Sequence, residues 1–108
     1  MSRTDALFAE ADVLALPASM ATPAPLAELA DLDAYGAANV TALRPACPAS
    51  MLGLCAITLP VGLDASGMPV GLQFVAPRGH DEALLGAALA VERALGPATD
   101  LIGRPPGL

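Results

Sequence analysis

Alternating apolar residues predict two β-strands in the second half of the chain. Cys55, Ile57 and Leu59 recur at every second position, which is the period of a strand with one buried face. A second segment carries apolar residues on one face (Val70, Leu72 and Phe74) and, on the other, a polar Gln73 and a Gly71 that permits close approach of a neighbour. Residues 64–67 between the two segments end in a glycine suited to a chain reversal, so the pattern predicts a hairpin.

A third strand is predicted near the start of the chain. Residues 12–16 are almost entirely apolar up to Pro17. Such a run is typical of a strand in a sheet covered by helices, so we expect burial on both of its faces. Before this strand, Thr4 is placed to cap a short helix over residues 5–11, with Asp5 in the first turn.

Apolar residues at helical spacing predict two longer helices. The first begins at Leu26 or Asp31 and must end before Pro45. Its recurring positions are Leu32, Tyr35, Asn39 or Val40, and Leu43. The second covers residues 80–95. Its first turn contains acidic residues, and Gly96 directly follows its last residue. The apolar face of this second helix consists of Leu84, Ala88, Val91 and Leu95.

Together these elements predict a single α/β domain over residues 1–108. We expect a small, mixed, three-stranded sheet, made of one strand plus a hairpin and packed by about three helices. Residues 98–108, which contain two adjacent prolines, are expected to form an irregular tail. A sheet of this size has open edges, so we expect another chain or the rest of a larger protein to cover them.

The composition also indicates a partner. Apolar residues make up 55% of the chain and charged residues 15%, which is below the roughly 25% of an average globular protein. A surface this poor in charge predicts contact with further copies of the chain, as in a homo-oligomer, or with a different protein segment. The net charge of −6, with arginine as the only basic residue type besides one histidine, argues against nucleic acid as the partner.

Membrane insertion, export and metal binding lack support in the sequence. Residues 45–63 carry no charge and are long enough to span a bilayer, but prolines and glycines interrupt any helix there. The first dozen residues contain acidic side chains where a signal peptide is apolar, so we expect a cytoplasmic location.

Cys47 and Cys55 form no CxxC pair and the chain has one histidine, so no metal or cofactor site is predicted. Both cysteines are interpreted as buried small residues.

Several short blocks of sequence occur together in the order typical of one known family. Residues 12–17 form a strand that ends in proline, residues 59–62 read LPVG, residues 67–73 read GMPVGLQ, and residues 81–85 begin a helix. This combination resembles the C-terminal part of amidase signature enzymes, which hydrolyse amide C–N bonds. The resemblance extends over most of the chain. Ser50 departs from it, because members of the family usually carry asparagine at this position.

The resemblance implies a scaffold that lacks the catalytic residues of the family. Those enzymes use a Ser–Ser–Lys triad and a Gly/Ser-rich loop, because a serine hydroxyl needs a nearby base to act as a nucleophile. This chain contains no lysine, and its serines are isolated from one another at Ser2, Ser19, Ser50 and Ser66. We therefore assign no catalytic, cofactor-binding or metal-binding residue, and we expect the chain to be inactive by itself.

Two polar side chains offer alternatives to this interpretation. His80 would have to join a serine or cysteine and an acid in a triad, but its place at a helix start favours a surface histidine that flanks the helix. Gln73 would have to orient a substrate, and we interpret it instead as an interior amide whose hydrogen bonds are satisfied within the scaffold.

Two functions remain open from the sequence. In the first, the chain is a structural or interaction module of amidase ancestry that associates with itself. In the second, it is the scaffold segment of a working amide hydrolase whose Ser–Ser–Lys residues lie upstream or on a partner chain. No residue argues for the third class, a small-molecule binding module.

Overall fold

The computed structural model describes residues 3–105 and residue 107, and within them the chain is of the predicted α/β class. This part of the chain contains three strands: β1 (Leu14–Pro17), β2 (Cys55–Leu63) and β3 (Pro69–Ala76). It also contains a 3-10 helix, Leu26–Leu29, and five α-helices: α1 (Arg3–Leu7), α2 (Leu32–Leu43), α3 (Cys47–Met51), α4 (Asp81–Leu95) and α5 (Ala98–Ile102).

The strands form one sheet in the order β1–β3–β2, in which both neighbouring pairs are antiparallel. The predicted hairpin of β2 and β3 is confirmed, with Thr58 opposite Gln73. The predicted mixed sheet is wrong. Strands β1 and β2 run in the same direction, so a mixed sheet would require them to be neighbours. They are instead joined by a long connection and lie on opposite sides of β3, with Leu16 of β1 opposite Gln73.

Asp64 braces the turn that joins β2 to β3. Its backbone N–H donates to the Met68 carbonyl at 2.9 Å, and Gly67, whose φ is +78°, donates to the Asp64 carbonyl at 3.0 Å. Carboxylate oxygen Oδ1 accepts hydrogen bonds from the backbone N–H groups of Ser66 and Met68, with N···O distances of 2.8 and 2.9 Å. Oxygen Oδ2 accepts the Thr22 hydroxyl at 2.7 Å, so the loop after β1 is tied to the hairpin.

These donors make the stability of the fold depend on pH. The Met68 N–H is the largest cause, and with the Thr22 hydroxyl and the Ser66 N–H it holds the pKa of Asp64 below its ordinary value of 3.8. Because the folded pKa is the lower one, the contribution of the carboxylate is complete above its unfolded pKa. It is lost as the pH falls through the folded pKa.

We expect Asp64→Asn to reduce the loss of stability between neutral pH and about pH 3, because the substituted side chain does not titrate. Urea denaturation followed by circular dichroism at several pH values measures this difference. Asp12→Asn removes the same charge from an exposed position before β1 and serves as the control. If Asp64→Asn and the parent chain lost stability equally on acidification, the proposed bracing would be wrong.

The core lies between α4 and one face of the sheet. Phe74 and Ala76 of β3 are buried together with Leu84 of α4. Partly buried apolar side chains pack around these three: Val13, Cys55, Ile57, Leu59, Leu72 and Val91. The predicted helix over residues 80–95 is confirmed, and Leu84 and Ala88 on its predicted apolar face are buried, whereas Leu95 at its end is exposed.

Some predictions near the ends of the chain are wrong. Residues 98–102 form α5 instead of an irregular tail, because this segment packs against β2. Thr4 lies inside α1, which ends at Leu7, and therefore does not cap a helix over residues 5–11. The expected burial of β1 on both faces is also wrong, because α4 lies mainly over β2 and β3, which leaves Ala15 and Pro17 exposed.

Two further outcomes concern the limits of the described chain. Residues 103–105 are irregular as predicted, whereas the predicted tail conformation at residues 106 and 108 lies outside the described residues, as does Ser2. Within residues 3–105 and 107, no helix combines the length and the apolar character needed to cross a bilayer.

Candidate functional site

The face of the sheet opposite α4 holds a buried amide without a complete set of hydrogen bonds. We call this face the second sheet face: Leu14 and Leu16 of β1, Ala56 and Thr58 of β2, and Gly71, Gln73 and Val75 of β3. Gln73 lies at its centre, is 7% exposed, and its Oε1 accepts no hydrogen bond from the described residues. The predicted burial of Gln73 is confirmed, but the prediction that the scaffold satisfies it is wrong. Leu16 on one side has no side-chain donor, and Thr58 on the other does not donate to it.

Gly71 on the same face allows the predicted close approach of a neighbour. The loop after β1 crosses here, and the Ala18 N–H donates to the Gly71 carbonyl at 3.1 Å. A Cβ atom on Gly71 would lie 2.8 Å from Cγ2 of Thr58 and 3.1 Å from Cβ of Ala18. A side chain at this position would therefore collide with both the adjacent strand and the loop.

Two cavities flank the loop after β1. The first, of about 490 Å³, lies between the loop and the second sheet face, with Thr22, Thr58 and Asp64 in its wall. The second, of about 590 Å³, lies between the same loop, the 3-10 helix and α2. The wall of this second cavity is mostly apolar and includes Leu26, Leu29, Tyr35, Ala38 and Ala42.

Thr22 and Asp64 form a hydroxyl–carboxylate contact in the wall of the first cavity, and their chemistry is unsuited to activating a nucleophile. A general base works best with a pKa near the working pH, whereas the hydrogen bonds to Asp64 lower its pKa. The carboxylate is also occupied by two backbone N–H groups of its own turn. The contact with Thr22 was not predicted from the sequence, although an aspartate that opens a turn is a signal that its oxygens will accept N–H groups.

The other candidate polar residues lie on separate elements. Ser50 is exposed on α3, whereas Gln73 lies on the second sheet face. His80 is exposed directly before α4, with Nδ1 3.2 Å from the Arg78 carbonyl oxygen, so its interpretation as a surface residue flanking the helix is confirmed. In the part of the chain that the structure describes, no hydrogen bond joins Ser50, Gln73 and His80 to one another.

The two cysteines occupy different environments. Cys55 is partly buried, and its thiol donates to the Pro77 carbonyl at 3.3 Å. Cys47 is exposed, so its predicted burial is wrong; it begins α3, a short helix of which only Ala49 is buried. Among residues 3–105 and 107, no three His, Cys, Asp or Glu side chains are grouped closely enough to hold a metal ion.

Helix α2 is formed as predicted but buries none of its residues. Its start is fixed by Asp31, whose carboxylate accepts the Ala34 N–H at 3.1 Å, and its end precedes Pro45. The helix packs mainly on the 3-10 helix. The apolar residues that predicted it are exposed, most of all Leu32 at 85% and Val40 at 68%. Leu26 on the 3-10 helix is exposed to a similar degree, so this part of the molecule presents a broad apolar surface.

Comparison with known proteins agrees with the resemblance. The amidase family model matches residues 1–85. The chain is 41% identical over 99 residues to 2-amino-5-chloromuconic acid deaminase of Comamonas testosteroni, an alignment that covers 92% of this chain and 21% of the deaminase. It is 41% identical over 92 residues to a glutamyl-tRNA(Gln) amidotransferase subunit of Halobacterium salinarum, an alignment that covers 82% of this chain and 20% of that relative.

The same relationship extends to further amidotransferase subunits. The chain is 38% identical over 93 residues to the corresponding glutamyl-tRNA(Gln) amidotransferase subunit of Thermus thermophilus, an alignment that covers 86% of this chain and 19% of that relative. The chain therefore spans about a fifth of the length of the curated relatives it matches.

Proposed function

The chain belongs to the amidase family, and we propose that it contributes the scaffold of an amide-hydrolysing domain without contributing its catalytic residues. In this proposal the chain corresponds to the C-terminal part of such a domain. The segment that bears the Ser–Ser–Lys residues lies elsewhere in the same polypeptide or on a partner chain. The chain by itself does not hydrolyse amides.

The observation that carries this proposal is the exposed apolar surface of α2 and the 3-10 helix. An ordinary amphipathic helix turns its apolar stripe toward its own core and its charged residues toward water. Helix α2 has no buried residue, and its large apolar side chains, Leu32, Tyr35, Val40 and Leu43, are exposed. A surface of this kind is typical of a contact with another protein segment. The relatives, of which about four-fifths lies outside the match, supply a candidate for that segment.

The chemistry of the chain supports the absence of catalysis. It contains no lysine that could serve as the base of the family's triad. The carboxylate of Asp64, which does contact a hydroxyl, has a lowered pKa. The groups that remain are structural: a sheet, a covering helix and a braced turn.

A chimera with a relative tests the proposed function. The segment of the Comamonas testosteroni deaminase that aligns with this chain is replaced by the chain itself, and deamination of 2-amino-5-chloromuconic acid is measured. We expect the chimera to retain deamination and the isolated chain to show none, because the identity of 41% preserves the scaffold. A deaminase lacking the segment altogether is the control and should be inactive.

Two results would overturn the proposal. One is release of ammonia from simple amides by the isolated chain, which would mean that it has catalytic residues of its own. The other is a folded chimera without activity, since a scaffold of the right kind should position the residues of the deaminase.

A further inference from the structure

Helix α2 is almost free of charge around its whole circumference. Among its residues only Asp33, in the first turn, carries a charge at neutral pH. The others are leucine, alanine, glycine, tyrosine, valine, asparagine and threonine. A helix with so few charged residues is typical of a buried position in a larger protein, because an exposed helix usually carries charged residues on its outer side. The composition of α2 is therefore that of a helix with neighbours on both sides.

One side of α2 already has a partial neighbour. Tyr35, Ala38 and Ala42 line the cavity of about 590 Å³ between this helix, the loop after β1 and the 3-10 helix. A second side of α2 carries most of its large exposed apolar residues. We call it the outer ridge of α2: Leu32, Gly36, Val40 and Leu43. Spacings of four, four and three residues place these positions on one side of a helix.

The outer ridge is shaped to receive an apolar surface. Leu32 and Val40 project into solvent, and Leu43 is 46% exposed. Gly36 lies between Leu32 and Val40, and a Cβ atom built on it would meet nothing within 4 Å. Two large side chains separated by a glycine form a gap into which a side chain of a neighbouring element can pack, as ridges pack into grooves between helices.

We propose that the outer ridge of α2 is the surface against which the triad-bearing part of the amidase domain packs, through an apolar and uncharged patch of its own. This inference rests on the proposed function and narrows the contact from the apolar surface of α2 and the 3-10 helix to one side of α2. The length of the relatives supports this occupant, since about four-fifths of each lies outside the match and must contact the matched part somewhere. The four ridge residues carry no charge, and the one charged residue of the helix, Asp33, lies beside them in its first turn.

A charge placed on the ridge tests the inference. Val40→Glu puts a carboxylate where the isolated chain exposes the side chain to water, so circular dichroism and the thermal midpoint of the isolated chain should change little. In the chimera with the deaminase the same carboxylate would be buried without a partner, and we expect deamination to fall at least about tenfold. Ala65→Glu adds the same charge in the exposed hairpin turn and should leave the chimera unaffected.

Hydrogen exchange gives a readout that does not require activity. Amides of residues 32–43 should exchange at least about tenfold more slowly in the chimera than in the isolated chain, and Val40→Glu should remove that protection. An active chimera in which α2 gains no protection and tolerates Val40→Glu would overturn the inference and leave the proposed function intact. An inactive chimera in which α2 is protected, and in which Val40→Glu removes that protection, would support the inference and overturn the proposed function.

The remaining occupant is a second copy of the chain, and sedimentation velocity distinguishes it. We expect the isolated chain to show no dimer that Val40→Glu dissociates. If the parent chain is a dimer at micromolar concentration and Val40→Glu makes it monomeric, the outer ridge seats a second copy and the inference is wrong.

Discussion

Replacement of Phe74 by alanine is expected to unfold the isolated chain or bring it close to unfolding. Phe74 is the largest side chain in the core between the sheet and α4, and it packs with Leu84 and Ala76. Truncation of a buried phenylalanine costs about 3–5 kcal/mol, from lost burial and from the cavity left behind. Domains have total stabilities of about 5–15 kcal/mol. This core is small, because no large side chain among the described residues is fully buried.

Urea denaturation of the isolated chain, followed by far-ultraviolet circular dichroism, measures the effect. The matched control is Leu32→Ala, which shortens an apolar side chain that is already 85% exposed and should shift the free energy of unfolding by less than about 0.5 kcal/mol. Equal midpoints for Phe74→Ala and the parent chain would show that the core does not lie between β3 and α4.

Replacement of Gly71 by alanine is expected to destabilise the sheet by about 1–3 kcal/mol, the usual cost of adding a methyl group to a packed site. The added Cβ would lie 2.8 Å from Cγ2 of Thr58 and 3.1 Å from Cβ of Ala18. Threonine is stiff about its first side-chain torsion, so its methyl group cannot easily move away. Relief would require a shift of β2 or of the loop that donates to the Gly71 carbonyl.

A helix glycine provides the control for this substitution. Gly86→Ala adds the same methyl group on the exposed side of α4, where nothing lies within 4 Å, and should stabilise the chain by about 1 kcal/mol through helix propensity. Adding Thr58→Ser to Gly71→Ala removes the closest colliding atom and should restore part of the lost stability. A double variant no more stable than Gly71→Ala alone would assign the cost to the loop at Ala18.

The parts of the fold that follow from local pattern could be predicted from the sequence. The hairpin was predictable because alternation and the turn glycine act over neighbouring residues, and the observed register places Ile57 opposite Phe74. Helix α4 was predictable because its apolar face and its stop at Gly96 are both encoded within the helix. Helix α2 was predictable from the helical spacing of its apolar residues and from Pro45, although its start was left open between Leu26 and Asp31.

The parts that depend on distant contacts could not be predicted in the same way. Nothing in residues 14–17 specifies whether β1 lies beside β2 or β3, and that choice decides whether the sheet is mixed or antiparallel. Helix α5 is too short to be stable by itself and forms against β2, a contact that its own sequence does not reveal.

The candidate site shows the same division. The space beside Gly71 was predictable because a glycine within a strand usually marks a close neighbour. The unsatisfied Oε1 of Gln73 could not be predicted. The residue opposite Gln73 is Leu16, which offers no side-chain donor and belongs to a strand far away in sequence. The hydrogen bond from Thr22 to Asp64 could not be predicted either, because it also joins residues that are far apart in sequence.

The sheet order also constrains the sequence of events during synthesis. Strand β1 leaves the ribosome first, yet its hydrogen-bonding partner in the sheet is β3, which begins only at Pro69. The backbone of Leu14 and Leu16 therefore has no strand partner while the residues of α2, α3 and β2 are being added. The hairpin and α4 can assemble from adjacent residues, and β1 joins them by closing a long loop, which is the slow kind of step in folding. Interruption of translation within β2 would leave β1 as an exposed apolar segment with no strand to pair with, a species prone to aggregation.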